Sequence, residues 1–277
     1  MPAPIVKICC ICSLEEAQLA IRAGVRVLGL VSQMPSDPGL IEEPLIASIA
    51  KVTPRHIRTF LLTAHTDAVS IAAQHNRCGT TSLQLVDHLP HIELMQSRRM
   101  LPAVELIQVI HVSDRNTLDD AVAVAPLVDA ILLDSGNPSL AVKELGGTGR
   151  THDWSVSRRI RDAVDKPVFL AGGLNAANLS DAVAAVQPFG LDVCSGLRTD
   201  GLLDADKVQV FMRTSRNRRE RAKFVPTGLA NTGHVPSVRR APQARNSPTQ
   251  QVSRSSPIRP AMLSIYLRRT QRASESC

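Results

Sequence analysis

The chain has 277 residues, is 44% apolar but only 3% aromatic, and carries a formal net charge of +7. That apolar content can fill a core, while no run approaches the roughly 18 uninterrupted apolar residues of a membrane-spanning helix, which excludes that class. The charge averages two unlike regions: Arg213 to Cys277 holds 14 Lys and Arg against Glu220 and Glu275, whereas residues 1–212 hold 18 against 23 acids.

The start, MPAPIVKICCIC, has no basic segment ahead of a long apolar stretch and no small-residue cleavage site after one, so a cytoplasmic protein is expected. Cys9, Cys10 and Cys12 fall within four positions, too close for a spaced disulfide framework, and reduced thiols are expected. Strand-length apolar runs then recur: IVKIC (5–9), VLGLV (27–31), IRTFLL (57–62), SLQLV (82–86), LIQVIHV (106–112), VDAILLD (128–134), PVFLAG (167–172) and LDVCSG (191–196). Segments with helical spacing lie between most of them. LEEAQLAIRAG (14–24) ends on a glycine suited to a C-terminal cap, and LSDAVAAVQPFG (179–190) is introduced by Asn178. After LIQVIHV, DRNTLDDAVAVAPL allows only a weak, shortened fifth helix. Strands apolar on both faces and separated by helices predict a parallel sheet covered by helices. Eight such units within residues 1–212 predict an α/β fold, a (βα)8 TIM-type barrel.

Residues 213–277, rich in Arg, Ser and Pro, show no sustained apolar period that would offset the entropy of ordering them, and are predicted to be a disordered basic tail. A solvated extension is the favoured reading of that tail. Nucleic-acid contact is disfavoured because only Phe224 and Tyr266 are available to stack on bases.

A barrel carries its chemistry at the C-terminal ends of its strands. On the first strand, alternation sets Ile5, Lys7 and Cys9 on one face and Val6, Ile8 and Cys10 on the other. A lysine suits the interior better than the apolar helix layer, so Lys7 and Cys9 are expected to point inward and Cys10 away. Asp134 ends the sixth strand at the corresponding rim, above Leu132. Asp192, in LDVCSG, is placed to meet Lys7 as a buried structural pair. His88 and His111 also reach the mouth, as packed, solvent-facing or functional imidazoles. A cysteine at a strand end is often only a small buried hydrophobe, and an aspartate there a cap. No metal site is expected, because adjacent strand residues face opposite ways and no Cys-x-x-Cys or paired-His spacing follows.

The stretch LGGTGRTHDW, residues 145–154, sets glycines against the only tryptophan. Gly146, Gly147 and Gly149 would wrap an anion such as phosphate in backbone N–H groups, with Thr148 adding a hydroxyl. Asp153 or Ser155 would start the next helix, and Trp154 would anchor the loop to the barrel wall. Two more glycine corners, AGGLN at 171–175 and SGLR at 195–198, follow the seventh and eighth strands, where barrels frequently hold phosphate.

K-I-C near the N-terminus, LLDS ahead of GGTGRTHDW, PVFLAGGLNAANLSDAV, and PFGLDVCSG followed by LDADKVQVF resemble phosphoribosylanthranilate isomerase, a (βα)8 enzyme of tryptophan biosynthesis. The resemblance spans residues 5 to about 212 and is strongest from Leu132 to Phe211; the tail has no counterpart. It implies an Amadori rearrangement of an aminoaldose to an aminoketose, with a small phosphosugar substrate and without cofactor or metal. It assigns the base to Cys9 and the acid to Asp134, the two residues already selected by the barrel. It places the phosphate among Gly147, Thr148, Gly149, Gly172, Gly173, Ser195 and Gly196.

The chain departs from the family pattern in its first half. The position after the cysteine, usually glycine, is Cys10. The second loop usually carries Ser-Pro-Arg, whose arginine meets the anthranilate carboxylate, and here reads VSQMPSDPGLI. Neither Ser36 nor Asp37 replaces a planar bidentate cation, and Asp37 repels an anion. The fourth strand ends QLVDHL where the family has QLHG. Two other readings therefore stand beside the isomerase: an isomerase of a different phosphosugar amine using the same pair, and a non-catalytic phosphate-binding barrel or scaffold whose tail contacts nucleic acid or membrane. Retention of both Cys9 and Asp134 favours an enzyme.

Overall fold

The computed structural model describes residues 3–35, 39–112, 117–136 and 149–216. Eight parallel strands pair in chain order and close, the eighth returning to the first. They are β1 (Ile5–Ile8), β2 (Val27–Val31), β3 (Arg58–Thr63), β4 (Ser82–Leu85), β5 (Glu105–His111), β6 (Ala130–Asp134), β7 (Val168–Leu170) and β8 (Gly190–Val193). Helices α1 (Leu14–Ala23), α2 (Glu43–Val52), α3 (Ala68–Cys78), α4 (His91–Met100), α5 (Thr117–Val124), α6 (Trp154–Ala163), α7 (Leu179–Val186) and α8 (Ala205–Arg216) follow the strands in turn. Beyond β8 a 3-10 turn, Ser195–Leu197, leads into a small antiparallel pair, β9 (Arg198–Thr199) with β10 (Leu202–Leu203). This is the (βα)8 barrel expected, with a fifth helix of eight residues. Among the described residues, no helix is long and apolar enough to cross a membrane.

Local chemistry sets the helix ends. The Ser13 hydroxyl accepts the Glu16 N–H at 3.2 Å to open α1, and Gly24 closes it at φ 91. Asp67 caps α3 and Asp153 caps α6 by accepting the Ser70 and Ser155 N–H groups, both at 2.8 Å. The helix expected over 179–190 stops at Val186, because Pro188 disfavours a helical residue before it and Gln187 turns to φ 54. Asn178 stands at the start of α7 without capping it. Its side chain braces the preceding corner instead, accepting the Asn175 N–H and donating to the Gly173 carbonyl, each at 2.9 Å.

Strand alternation yields two cores. Ile8, Leu28, Leu30, Leu61, Leu133, Leu170 and Val193 face the helices, and Trp154 packs on this outer layer from α6, as a wall anchor should. Val27, Val31, Phe60, Leu62, Val109, Leu132, Phe169 and Ala171 fill the barrel. Phe60 and Phe169 meet edge to face at 5.9 Å, an arrangement that contributes about 0.5–1.5 kcal/mol beyond the area it buries. α8 runs on to Arg216, whose guanidinium donates to the Ala23 carbonyl at 3.0 Å and ties the last helix to the first. Residues 217–277, nearly all of the stretch read as a tail, lie outside the described residues.

Candidate active site

Lys7 and Asp192 are partners in the β1–β8 register. Their side chains meet inside the barrel with Nζ to Oδ2 at 2.6 Å, the lysine 0% and the aspartate 7% exposed. Burial alone would pull the Lys7 pKa down, but Asp192 and then Cys9 outweigh it and raise it, so the ammonium stays charged. Cys9 follows β1, is buried, and donates its N–H to the Val193 carbonyl at 2.9 Å. The Lys7 charge also acts on Cys9 at short range, so a fixed cation lies beside the thiol. Room for both comes from Gly29 in β2, where a Cβ would lie 3.0 Å from Cys9 Sγ and from Lys7 Cε. The sequence reading did not single out Gly29, although a glycine at the centre of VLGLV marks a close approach.

Asp134 ends β6 three strand positions from β1, with His111 of β5 as its register partner. Its Oδ1 accepts the Ser135 N–H at 2.7 Å. Burial raises the Asp134 pKa above the ordinary carboxylate range despite that bond and despite His111 and Lys7, which oppose the rise; the negative charge of Asp192 reinforces it. The carboxyl therefore favours its protonated form, as an acid requires. His111 contacts the Val86 carbonyl through Nε2 at 3.0 Å. A carbonyl accepts only, so that nitrogen carries the proton, and Nδ1 has no partner among the described residues. His88 is exposed.

The three glycine corners pack on one another. A Cβ on Gly149 would stand 3.5 Å from Ser195 Oγ, one on Gly173 would lie 2.8 Å from the Gly149 carbonyl oxygen, and one on Gly196 would strike the Leu174 carbonyl oxygen at 2.1 Å. Gly172 and Gly173 hold φ 82 and 60, a region that side chains rarely occupy. Gly149, Gly172, Gly173, Ser195 and Gly196 are thus brought together above β6–β8; Gly147 and Thr148 lie outside the described residues. His152 joins them unannounced. Its Nε2 meets Ser157 Oγ at 2.7 Å and its Nδ1 would lie 3.0 Å from a Cβ on Gly172. Burial lowers its pKa to about 4, so it is neutral at pH 7.

Cys10 corrects an expectation. Its φ of 60 reverses the alternation beyond β1, so its side chain belongs to the inner cluster with Cys9 and Met34 rather than pointing away from the barrel. The position that would favour glycine for its backbone thus holds a thiol at the mouth. A further unpredicted group lies beside it. Arg198 bridges Glu16 at 2.9 and 3.0 Å and donates to the Cys10 carbonyl, while Glu16 also accepts the Cys12 and Leu203 N–H groups. This ties the turn after β1 to the region beyond β8. Arg198 is therefore committed and does not replace the absent second-loop arginine. Ser36 and Asp37 lie outside the described residues; Met34 and Val31 give that side an apolar wall. Among the described residues, no group of three or more His, Cys, Asp or Glu is placed to hold a metal ion.

A closed (βα)8 barrel with a cysteine and an aspartate at its rim and three glycine corners packed together above β6–β8 suits the class of phosphosugar isomerases. The profile of N-(5'phosphoribosyl)anthranilate (PRA) isomerase matches residues 6–214, and the chain belongs to that family. It is 33% identical over 214 residues to N-(5'-phosphoribosyl)anthranilate isomerase 2 of Methanosarcina mazei, covering 76% of this chain and 94% of that one. It is 35% identical over 217 residues to the enzyme of Haloferax volcanii, covering 77% and 94%. The crystal structure of phosphoribosyl anthranilate isomerase from Thermotoga maritima superposes with a TM-score of 0.66 at 27% identity, covering 76% and 98%. Another, solved in complex with reduced 1-(o-carboxyphenylamino)-1-deoxyribulose 5-phosphate, gives 0.63 at 25%, covering 76% and 98%.

Proposed function

We propose that this barrel isomerises N-(5'-phosphoribosyl)anthranilate to the 1-deoxyribulose 5-phosphate product in tryptophan biosynthesis, with Asp134 as acid and Cys9 as base. Asp134 donates its proton to the furanose ring oxygen; the bond from that oxygen to the anomeric carbon breaks, and the amine nitrogen's lone pair forms the iminium. Cys9 thiolate then takes the proton from C2', and the electrons of that bond flow to the iminium to give the enolamine, which ketonises. The observation that carries this reading is the pairing of a carboxyl made acidic-form-stable by burial with a thiol over a buried ammonium, three strands apart on one rim.

The phosphate is held by the Gly149, Gly172–Gly173 and Ser195–Gly196 corners, together with Gly147 and Thr148, and the aromatic ring lies toward Val31 and Met34. Lys7 and Asp192 support the base rather than meet the substrate. A different phosphosugar amine remains the second reading, favoured by the absence of an arginine in VSQMPSDPGLI. The catalytic unit is the barrel, the basic stretch beyond it takes no part in the chemistry, and the closely spaced thiols suit the reducing cytoplasm.

The test is turnover of phosphoribosylanthranilate by the full chain, followed as loss of anthranilate-type fluorescence. Cys9→Ala and Asp134→Asn should each lower kcat by about 10²–10⁴-fold. A folded wild-type protein that binds phosphosugars but leaves this substrate unchanged would transfer the reading to another amine.

A further inference from the structure

The mechanism uses one thiol of the mouth and leaves two others at the same inner cluster. β1 and β8 are paired through Ile8 and Val193, and the Cys9 N–H to Val193 carbonyl bond continues the ladder. Cys194 follows β8 and Cys10 follows Cys9, so the two stand at the ends of neighbouring strands. The left-handed turn at Cys10 aims its side chain into the inner cluster, which also holds Cys9 and against which Cys194 packs. The loop after β2 shuts it in, since a Cβ on Gly39 would lie 2.5 Å from Cys10 Cβ. Cys10 is 3% exposed. Cys194 is half-buried at the mouth, within reach of the positive charge of Arg198.

We infer that Cys10 and Cys194 form a reversible oxidation site, at which a peroxide converts the two thiols into an intramolecular disulfide that ties the end of β1 to the β8 corner. The two partners have different roles. Cys194, held below the ordinary thiol pKa by Cys10 and by Arg198, is the accessible nucleophile; Cys10, pushed up by the neighbouring sulfurs and by burial, stays a protonated thiol until it resolves the intermediate. Cys194 thiolate attacks one peroxide oxygen, the O–O bond breaks, and hydroxide leaves a sulfenic acid. Cys10 sulfur then attacks the sulfenic sulfur, the S–O bond breaks, and the departing hydroxide takes the Cys10 proton as water. Two thiols lose two electrons and the peroxide becomes two waters.

The bond draws the Cys10 sulfur toward β8, next to Cys9, and fixes the chain leading into Ser195 and Gly196, so it should lower isomerisation roughly tenfold or more. The activity arm rests on the isomerase reading, whereas the mass arm does not. Full-length protein is treated with hydrogen peroxide, digested and mapped by mass. A peptide containing Cys9 and Cys10 should be joined to the Cys194 peptide and released by dithiothreitol, with activity falling and returning in parallel. Because Cys9 shares the peptide, variants locate the bond: the link should persist in Cys9→Ala and vanish in Cys194→Ser and in Cys10→Gly, which suits the φ of 60. A link lost in Cys9→Ala, a bond between Cys9 and Cys10, or over-oxidised thiols with no link would overturn the inference. A full link that leaves activity unchanged would establish the oxidation site and overturn its expected effect on the barrel's chemistry.

Discussion

The two halves of the barrel mouth are built from different materials. Above β6–β8, backbone corners at Gly149, Gly172–Gly173 and Ser195–Gly196 pack together, and at Gly173 and Gly196 a Cβ would lie 2.8 and 2.1 Å from a neighbouring backbone atom, too close for a side chain. Above β2–β4, side chains such as Val31, Met34, Leu62 and Val86 form the wall. A phosphate is recognised by converging N–H groups, which only a restricted set of backbone conformations provides. An aromatic ring needs only apolar surface of about the right shape, which many sequences supply. The first half should therefore be intolerant of single methyl groups, and the second adaptable.

The sharpest test of that contrast is Gly196→Ala, whose new methyl meets the Leu174 carbonyl oxygen at 2.1 Å. Forcing that corner apart should cost about 10²-fold in kcat/KM, carried mainly by KM. Met34→Ala, in the adaptable half, should cost only about tenfold, the scale of a few methylenes in an apolar pocket. Equal losses at the two positions, measured by steady-state kinetics, would break the comparison.

Within the β6–β8 half, two buried groups respond to pH with opposite sign. Asp134 has a folded pKa above its unfolded value, so the folded chain binds the extra proton and loses stability as pH rises from the ordinary carboxylate range through the raised pKa. Asp134→Asn removes that loss. It should be nearly inactive yet melt about 2–4 °C higher at pH 8, with the gain shrinking toward pH 4. His152 has the opposite sign. Its folded pKa of about 4 lies below 6.5, so its neutral burial costs nothing above 6.5 and destabilises progressively as pH falls toward 4. His152→Phe should flatten that acid loss in thermal melts between pH 6.5 and 4. Smallest of all, deletion of 217–277 should leave kcat and KM unchanged within about twofold; a larger fall at low salt would bring the basic segment into the chemistry.

The barrel itself was legible because alternation and helical spacing are local. Eight apolar runs reappear as β1–β8 with ends moved by at most three residues, and α1 closes on Gly24 as its sequence implied. The rim positions of Cys9, just past β1, and Asp134, at the end of β6, were legible for the same reason, and the three corners because tight turns with positive φ or close backbone approach are written in glycine. The strand ends were less so. Where the chain leaves a strand for a corner, the local pattern no longer says which way a side chain turns, and Cys10 shows it.

By itself the sequence determined the strand and helix order, the inward face of each strand and the residues at its rim, since these follow from periodicities of two and 3.6 along one stretch of chain. Only the tertiary structure decided what those residues meet. The Lys7 to Asp192 pair, 185 positions apart, could be anticipated only by supposing the barrel closed, and Arg198 reaches back unannounced across 182 to Glu16. Closure of the barrel brings β8 beside β1, and with it Cys194 to Cys10, while burial raises the pKa of Asp134. Those contacts and environments arise from the enclosed space of the assembled sheet, which no local window of the chain contains.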